Sequence, residues 1–360
     1  MTDSQEKEKR LRLGITHGDI NGISYEIIMK SLMDQRMLDQ LTPVVYGTAK
    51  VASYYRKVLN INDFSFNIVR KADQAHPRKP NLVNLMDQEI KIDLGQSTPV
   101  AGELALMALE AATADLMAGH IDALVTAPIN KKNIQTETFT FPGHTEYLAM
   151  KFRSDSHLML MVGPNLRIGV VTGHMPLKDV PASLTVDLIM KRIRVMNQSV
   201  IRDFGIPKPK IALLGVNPHG GEDGLLGAEE QQVIMPAIEK ARQEGMLVFG
   251  PFPADGFFGF GDHLRYDGVL AMYHDQGLIP FKTMSYHEGV NFTAGLPYIR
   301  TSPAHGTAYA LAGKNEANPD SMRHAIYLAT DLYRNRIASE ELLANAASLN
   351  VQECNTDNQD

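Results

Sequence analysis

Short apolar runs rich in strand-forming residues alternate along this chain with longer stretches whose apolar residues recur at helical spacing. This alternation restricts the fold most, because a helix between two strands allows those strands to run parallel. The clearest strand candidates are residues 11–16, 43–46, 123–126, 167–172, 210–216 and 268–272. The clearest helix candidates are residues 103–118, 186–203, 229–244 and 322–338. The pattern predicts an α/β protein whose helices cover a largely parallel sheet.

Length and charge narrow the function classes. The chain has 360 residues, more than one ordinary domain contains, so we expect two domains. Its formal net charge is -6 and no basic stripe interleaved with aromatic residues is present, so nucleic acid is not an expected partner. No apolar run approaches the roughly 20 residues of a membrane span, and the first residues lack the apolar core of a secretory signal. We therefore expect no membrane association and a cytoplasmic location.

Three histidines each follow a predicted strand, and together they suggest a metal site. They are His174 in TGHMPLKD, His219 in NPHGGEDG and His274 in YHDQG. In open α/β sheets, ligands bind beyond the carboxyl ends of the strands. Three neutral imidazoles suit a divalent cation such as zinc and leave one coordination position open, as in catalytic sites. Taken singly, each histidine is more often a hydrogen-bonded loop residue, and the three could also lie at different edges of the sheet.

Other metal-ligand types are few. Cys354 is the single cysteine, so one chain can form neither an intramolecular disulfide nor a thiolate cluster. Any metal ion is therefore expected to bind histidines and carboxylates. Asp255 and Asp275 are candidate outer partners of the histidines, and solvated turn carboxylates are the alternative for both.

Two segments contain groups suited to an anion. In FPGHTEYLAMKF, His144 and Thr145 come just before a predicted helix, whose N-terminus would attract an anion. Thr145 could instead serve only as the helix cap. Downstream, Lys282, Asn291 and Arg300 lie in a stretch poor in other charges, so an inward-facing cation there would need an anionic partner. Exposure at the surface is the alternative for each of these three.

The sequence contains no complete nucleotide-binding signature. The first strand and turn, ITHGDINGISYE, has Gly18 and Gly22 but not the three-glycine Rossmann pattern, and no P-loop is present. Near the C-terminus, Gly306 and Gly313 flank a short, alanine-rich, helix-like piece. Small residues there would let an adenine ring or its ribose approach closely, and a tight packing loop is the alternative.

Taken together, the segments from GITHGDINGI to AGKNEANPDSM resemble the 4-hydroxythreonine-4-phosphate dehydrogenase family of vitamin B6 biosynthesis over nearly the whole chain. The matching segments occur in the family's order and are VTAPINK, FPGHTEYLA, TGHMPL, LGVNPHGGEDG, GPFPAD, YHDQGLIPFK and GLPYIRTSPAHGTAYALAGK. The portion HGTAYALAGK also resembles the adenosine loop of isocitrate and isopropylmalate dehydrogenases, to which this family is related.

The resemblance implies roles for the residues already singled out. The divalent-metal ligands would be His174, His219 and His274, with Asp255 beside the metal. The substrate contacts would come from His144, Thr145, Lys282, Asn291 and Arg300. The candidates for the catalytic acid or base are Asp255, Lys282 and a water on the metal. The cofactor contacts would come from Gly306 and Gly313.

The resemblance also implies an architecture and an assembly. The fold would be a two-lobed α/β/α structure similar to isocitrate and isopropylmalate dehydrogenases, with the active-site cleft between the lobes. Residues 1–140 and 300–360 would form the first lobe. Residues 141–299 would form the second, which would carry the metal histidines and the dimer contacts. The family is dimeric, so we expect a homodimer with a shared active site, in which the partner contributes one metal histidine.

The reaction implied is the oxidation of 4-phosphooxy-threonine at C3, with decarboxylation to 3-amino-2-oxopropyl phosphate. NAD would be the cofactor, with NADP as the alternative, and zinc would be the metal, with cobalt, magnesium, nickel and manganese as alternatives. When bound, the cation would lower the pKa of the substrate hydroxyl and NAD would accept the hydride. The resulting β-keto acid would then lose CO2.

The sequence departs from the family pattern in two regions. His17 and Ile20 replace prolines of the first loop, and Ser24 and Tyr25 stand where Gly-Pro is usual. Asn315 occupies a glycine position in the cofactor region. These departures bear on how the first loop and the cofactor bind, and none of them removes a proposed metal ligand.

Two other functions compete with this one. A sister dehydrogenase acting on 4-phospho-threonate or 4-phospho-erythronate would use the same metal and phosphate groups. No residue decides, from its sequence context, between an amino and a hydroxyl group at the substrate's C2. A phosphate-ligand-binding protein without catalysis is the other candidate, but such a protein has no need for an open metal position.

Overall fold

The structure, a computed structural model, describes residues 10–135, 139–141 and 143–356, with side chains up to residue 345. The chain divides into two compact units. Unit 1 contains the described residues up to 155 together with Met161–Gly163 and Ser285–Thr330. Unit 2 contains Ser156–Leu160, Pro164–Met284 and the described residues from 331 onward.

The strands and helices alternate as the sequence predicts, and the α/β class is confirmed. The strands are β1 (Leu11–Thr16), β2 (Leu41–Gly47), β3 (Asn67–Val69), β4 (Asn81–Asn84), β5 (Ala123–Thr126), β6 (Leu158–Gly163), β7 (Leu166–Val170), β8 (Lys210–Leu214), β9 (Leu247–Phe252), β10 (Gly268–Ala271), β11 (Val290–Ala294) and β12 (Arg300–Pro303). The helices are α1 (Ser24–Leu32), α2 (Gln35–Gln40), α3 (Ala49–Val58), α4 (Pro99–Met117), α5 (His144–Lys151), α6 (Val180–Ser183), α7 (Val186–Arg202), α8 (Met235–Gln243), α9 (Ala254–Gly259), α10 (His274–Met284) and α11 (Asp320–Thr356).

In unit 1 the strand order is β3-β4-β2-β1-β5-β12-β11. All neighbours in this order run parallel except β11, which runs antiparallel to β12. β2 and β5 are buried along their whole length, as expected of parallel strands covered on both faces. Helix α4 begins at a Thr98 cap and packs Leu109 and Leu116 into the unit's apolar core.

In unit 2 the strand order is β7-β10-β8-β9, and these four strands run parallel to one another. β6, of which residues 158–160 belong to this unit, lies next to β7. Helix α7 begins at Thr185, whose hydroxyl accepts a hydrogen bond from the Leu188 amide. Ile189, Ile193 and Val200 form its buried face. The carboxyl ends of four adjacent parallel strands therefore lie at one edge of this sheet.

The two units differ in their bounds from the expected lobes. Residues 141–155 and 285–299 group with unit 1, and the residues from 331 onward group with unit 2. Packing gives the reason for the first difference, since Tyr147 and Leu148 of α5 are part of the core of unit 1. An ion pair gives the reason for the second, since Arg336 of α11 contacts Asp203 of unit 2.

Some sequence-predicted elements change in detail. β1 and β5 have the predicted bounds, whereas the predicted helix 229–244 consists of a π-helical turn, Glu230–Ile234, followed by α8. The last predicted helix extends well past residue 338. Among the described residues, no helix is both long enough and apolar enough to cross a membrane.

Candidate active site

A buried arginine lies on the sheet of unit 1. Arg300 is the first residue of β12, between β5 and β11, and only 3% of it is exposed. Its Nε and Nη2 donate to the Thr126 hydroxyl at 3.0 and 2.6 Å, and its Nη1 donates to the Thr293 hydroxyl at 3.3 Å. The strand register explains these contacts, because Thr126 ends β5 and Thr293 lies on β11 opposite the start of β12.

Arg300 lacks the partner that a buried cation normally has. No carboxylate within the described ranges forms an ion pair with it. Burial accordingly lowers the pKa of the Arg300 guanidinium to about 10, and the more distant Glu146 opposes this shift. Hydroxyls can accept its hydrogen bonds but cannot balance its charge, so the pocket suits an anion from outside the chain.

His144, the first residue of α5, completes this pocket. Its Nδ1 lies 3.2 Å from Arg300 Nη2, and desolvation, then the Arg300 and Lys131 charges, hold the His144 pKa well below its usual value. A guanidinium only donates, so Nδ1 accepts and the neutral ring carries its proton on Nε2. That Nε2 is buried without a hydrogen-bond partner among the described atoms. This buried N–H group can therefore donate a hydrogen bond to a ligand.

The other predicted anion contacts of unit 1 differ from His144 in their burial and hydrogen bonding. Thr145 is half-buried in the first turn of α5, and Gly143, not Thr145, is the cap residue. The alternative that Thr145 serves only as the helix cap is therefore excluded. Asn291 lies on β11, two residues before Thr293, and its Oδ1 is a buried acceptor without a partner in the described part of the chain. Lys131, which the sequence reasoning missed, lies beside Gly143.

The predicted metal histidines all lie in unit 2, after adjacent parallel strands. His174 follows β7, His274 follows β10 and His219 follows β8. Since β10 lies between β7 and β8, all three histidines are at the same edge of one sheet. The possibility that they occupy different edges is thus removed. Asp255 follows β9, the next strand, and is exposed on α9.

Two of these histidines are neighbours. The ring centroids of His174 and His274 are 5.4 Å apart, and two imidazoles sharing a tetrahedral zinc have centroids about 5 Å apart. His274 Nδ1 lies 2.7 Å from Asp275 Oδ1, the carboxylate contact that fixes a metal-binding ring. Both rings line an open cavity of about 460 Å³ together with Leu177 and Tyr273.

The third histidine is not brought into this pair. His219 is exposed on its own turn, and in the described ranges no three His, Cys, Asp or Glu side chains are grouped closely enough to hold a metal. Lys282 is exposed on α10, two turns after His274. The single chain therefore presents two paired histidines and a separate third one.

Two side chains that the sequence reasoning missed form hydrogen bonds between the segments that follow these strands. The Thr172 hydroxyl, after β7, donates to the Met272 carbonyl after β10 at 2.7 Å. Gln276 of α10 accepts from the Met272 amide at 2.7 Å and donates to the Gly215 carbonyl after β8 at 2.5 Å. Each lies in a polar cluster next to a predicted strand, which is the signal that could have identified it.

The predicted cofactor glycines have unequal constraints. Gly313 has a φ of +75° and a Cβ there would lie 2.6 Å from Leu94, so this position requires glycine. Gly306 is exposed, and a Cβ would meet open space. The loop between them contacts the first loop, since Tyr309 donates its hydroxyl to Asp19 at 2.7 Å.

The departures from the family pattern lie behind the first loop. His17 stacks on Tyr25 and Tyr25 stacks on Tyr55, with centroids 5.5 and 5.4 Å apart, and all three rings are buried. The Tyr55 hydroxyl lies 2.7 Å from the Ile20 carbonyl, its acceptor. Asn315 has a φ of +60°, which asparagine tolerates better than most residues. Two of the changed residues, His17 and Tyr25, thus stack with Tyr55 in a buried aromatic cluster.

Comparisons with known proteins give the family. Residues 39–329 match the family described as pyridoxal phosphate biosynthetic protein PdxA. A Bacteroides thetaiotaomicron protein named 4-hydroxythreonine-4-phosphate dehydrogenase is 47% identical over 331 residues, which cover 92% of this chain and 91% of that protein. An Oceanobacillus iheyensis protein, named provisionally as D-threonate 4-phosphate dehydrogenase, is 37% identical and covers 90% of this chain and 98% of its own length.

A solved structure agrees with these relatives. The crystal structure of 4-hydroxythreonine-4-phosphate dehydrogenase from Klebsiella pneumoniae matches with a TM-score of 0.80 at 35% identity, over 90% of this chain and 98% of that one. The resemblance inferred from the sequence segments is confirmed. The matched residues include the paired histidines, the buried arginine and the imidazole beside it, and the chain belongs to the pyridoxal phosphate biosynthetic protein PdxA family of dehydrogenases.

Proposed function

We propose that this protein is an NAD-dependent, divalent-metal-dependent dehydrogenase that oxidises 4-phosphooxy-threonine at C3, with decarboxylation to 3-amino-2-oxopropyl phosphate, in pyridoxal phosphate biosynthesis. The observation that carries the proposal is the buried Arg300, which has no carboxylate partner among the described residues, beside the His144 Nε2, which has no hydrogen-bond partner among them. This pair of donors suits a phosphate group. The names of the relatives supply the rest of the substrate.

Binding of the phosphate should come first. Arg300 and the His144 Nε2–H would donate to phosphate oxygens in a pocket from which water is excluded, where charge-assisted hydrogen bonds are strong. Thr145 and Asn291 would contribute further polar contacts from the same unit, and Lys282 would contribute a second cation. These contacts would act on the phosphate end of the substrate, away from the reacting carbon. Their binding energy would then position the C3 hydroxyl.

The donor set also fits a metal ion. His174 and His274 would hold it with His219, one of the three coming from the partner subunit of a homodimer. The spacing of the two paired rings supports this arrangement. We propose zinc, with cobalt, magnesium, nickel and manganese as alternatives. When bound, the cation would act as a Lewis acid toward the substrate oxygen, and NAD, or NADP, would accept the hydride.

Proton transfer needs a residue of the chain. Asp255 and Lys282 are the candidates, because each is exposed on a helix next to a strand-exit histidine. Gly306 and Gly313 would let the cofactor approach the loop that contains Tyr309. We place the enzyme in the cytoplasm.

The substrate test compares three acids. NADH formation is measured with 4-phosphooxy-threonine and with 4-phospho-threonate and 4-phospho-erythronate, each with zinc added to metal-stripped protein. The proposal expects the first to be used with the highest kcat/KM. Preference for either acid with a hydroxyl group at C2 would instead favour the sister activity. The name of the Oceanobacillus relative supports that activity.

The metal test uses His219→Ala, which should abolish turnover and reduce the bound metal. Full activity of the metal-stripped variant would refute the metal role. Metal binding without NADH formation from any of the three substrates would favour a binding protein without catalysis.

A further inference from the structure

We propose that Glu230 is a positioning residue for the metal centre, holding the turn that carries His219 in a conformation it would not adopt alone. This inference rests on the proposed function, because it takes His219 as a metal ligand. Glu230 contacts Val216 and Asn217, which come just before this turn.

The turn that carries His219 is under backbone strain. Six consecutive residues have positive φ: His219 at 55°, Gly220 at 65°, Gly221 at 80°, Glu222 at 42°, Asp223 at 56° and Gly224 at 98°. Three of them are not glycine, and in the left-handed region the Cβ of such a residue lies too close to the following carbonyl oxygen. A turn of this kind persists only where surrounding contacts determine it, so some group must hold it.

The Glu230 carboxylate supplies those contacts. Its Oε1 accepts from the backbone amides of Val216 and Asn217 at 2.7 and 2.8 Å, and its Oε2 accepts from Asn217 Nδ2 at 2.9 Å. Only 3% of Glu230 is exposed. The carboxylate therefore fixes the two residues that lead from β8 into the left-handed turn, in a site from which water is largely excluded.

The neighbouring glycines leave room for this carboxylate. A Cβ at Gly215 would lie 3.1 Å from Glu230 Oε1, and a Cβ at Gly221 would lie 2.6 Å from Oε2. The turn thus wraps closely around the carboxylate from both sides. A side chain at either position would force the turn and the carboxylate apart.

Glu230 itself occupies an unusual place in its helix. It begins the π-helical turn Glu230–Ile234 that precedes α8. Such turns are rare and occur frequently at functional sites. Here the side chain that begins the wide turn is the one that holds the His219 turn.

The test measures cobalt, which reports both affinity and coordination geometry through its absorption spectrum. Metal-stripped full-length protein is titrated with Co²⁺ for the wild type, His219→Ala, Glu230→Ala and Glu230→Gln. Glu239→Ala, an exposed glutamate on α8, is the matched control. We expect Glu230→Ala to weaken cobalt binding about 10- to 100-fold, as loss of a group that orients a ligand does. The control should match the wild type.

Glu230→Gln should give a smaller but measurable loss. Gln can still accept from the two backbone amides, but its Nε2 would face Asn217 Nδ2, donor against donor. The Asn217 amide cannot flip without turning its oxygen toward Glu229, whose carboxylate now accepts from it at 2.7 Å. We expect roughly threefold weaker cobalt binding and an altered cobalt spectrum, so this variant decides the matter if Glu230→Ala does not fold.

The outcomes separate the inference from the proposed function. If the wild type and His219→Ala bind cobalt equally well, the metal role of His219 fails, and this inference fails with it. If His219→Ala loses cobalt while the folded Glu230 variants keep the affinity and the spectrum of the wild type, the proposed function stands and the role of Glu230 is overturned.

Discussion

Each of the two units buries an arginine, and the two arginines differ in the partners of their guanidinium groups. Arg336 in unit 2 donates its Nε to Asp203 Oδ1 at 2.7 Å, and the Ser199 hydroxyl donates to the other oxygen at 2.6 Å. Among the described residues, the hydrogen-bond acceptors of Arg300 in unit 1 are two hydroxyls and an imidazole. Burial lowers the pKa of both guanidiniums, but only at Arg336 does an adjacent carboxylate oppose the shift.

The two arginines differ in how their positive charge is balanced. The Arg336 pair is electrically complete and links α11 to the residue that follows α7. No carboxylate among the described residues forms an ion pair with Arg300, and burying an unpaired cation lowers stability. We therefore expect its counter-ion to be a bound ligand.

The largest expected effect is the loss of activity in Arg300→Met. Removing a buried, hydrogen-bonded charge from a phosphate contact costs a few kcal/mol, so kcat/KM should fall about 10³-fold. The free energy of unfolding without ligand should stay the same or rise. Steady-state kinetics and urea unfolding check both results, with the exposed Arg70→Met as control. A normal KM for the phosphorylated substrate would contradict the assignment.

Arg336→Met should show the opposite behaviour. It leaves the Asp203 carboxylate buried with the Ser199 hydroxyl and the half-exposed Arg202, so the free energy of unfolding should fall by about 3 kcal/mol. kcat/KM of the folded fraction should not change. Arg334→Met, an exposed arginine on the same helix, is the matched control. Equal unfolding curves for the variant and the wild type would show that the Arg336–Asp203 pair does not stabilise the fold.

A smaller effect is expected for Thr126→Val. The substitution removes the hydroxyl that accepts two hydrogen bonds from Arg300, at 3.0 and 2.6 Å, and it keeps the side-chain volume. The guanidinium then loses its alignment, and KM for the phosphorylated substrate should rise about tenfold. Thr126→Ser restores the acceptor and should restore KM. If valine and serine give the same KM, the hydroxyl does not align Arg300.

The smallest predicted effect concerns acid stability. Burial lowers the pKa of His17 to about 4, so below pH 6.5 the unfolded chain binds the extra proton and the folded protein does not. Stability should therefore fall as the pH drops from 6.5 toward 4, and stay level above 6.5. At pH 5.5 His17→Phe, which can still stack on Tyr25, should be more stable than wild type by about 1 kcal/mol. Urea unfolding at pH 5.5 and 7.5 measures the difference, and an unchanged pH dependence would contradict it.

The sequence predicts the elements whose residues suit their local structure. β1 and β5 are continuous apolar runs and have the predicted bounds. The histidines at strand ends were recognisable, because polar residues after buried strands lie at the ligand edge of the sheet. The order of β7, β10 and β8, which makes those ends adjacent, depends on contacts between distant segments and could not be predicted.

Other features come from tertiary packing alone. β12 begins Arg-Thr-Ser-Pro, a composition unsuited to a central strand, and it forms because β5 and β11 pair with it on either side. The left-handed turn at His219 contradicts the preferences of three of its residues, so no local rule indicates it. The partners of Thr126 and Glu230 lie in other elements, 174 positions away for Thr126 and 14 positions away for Glu230.

The position of Arg300 within a hydrogen-bonded sheet has a consequence for inhibition. Loops can spread to accommodate a bulky guest, but neighbouring strands keep a spacing of about 4.8 Å. The Arg300 pocket is bounded by side chains of β5 and β11 and should admit only small oxyanions. Vanadate or sulfate should therefore compete with the substrate, whereas phosphonates carrying branched groups at phosphorus should not.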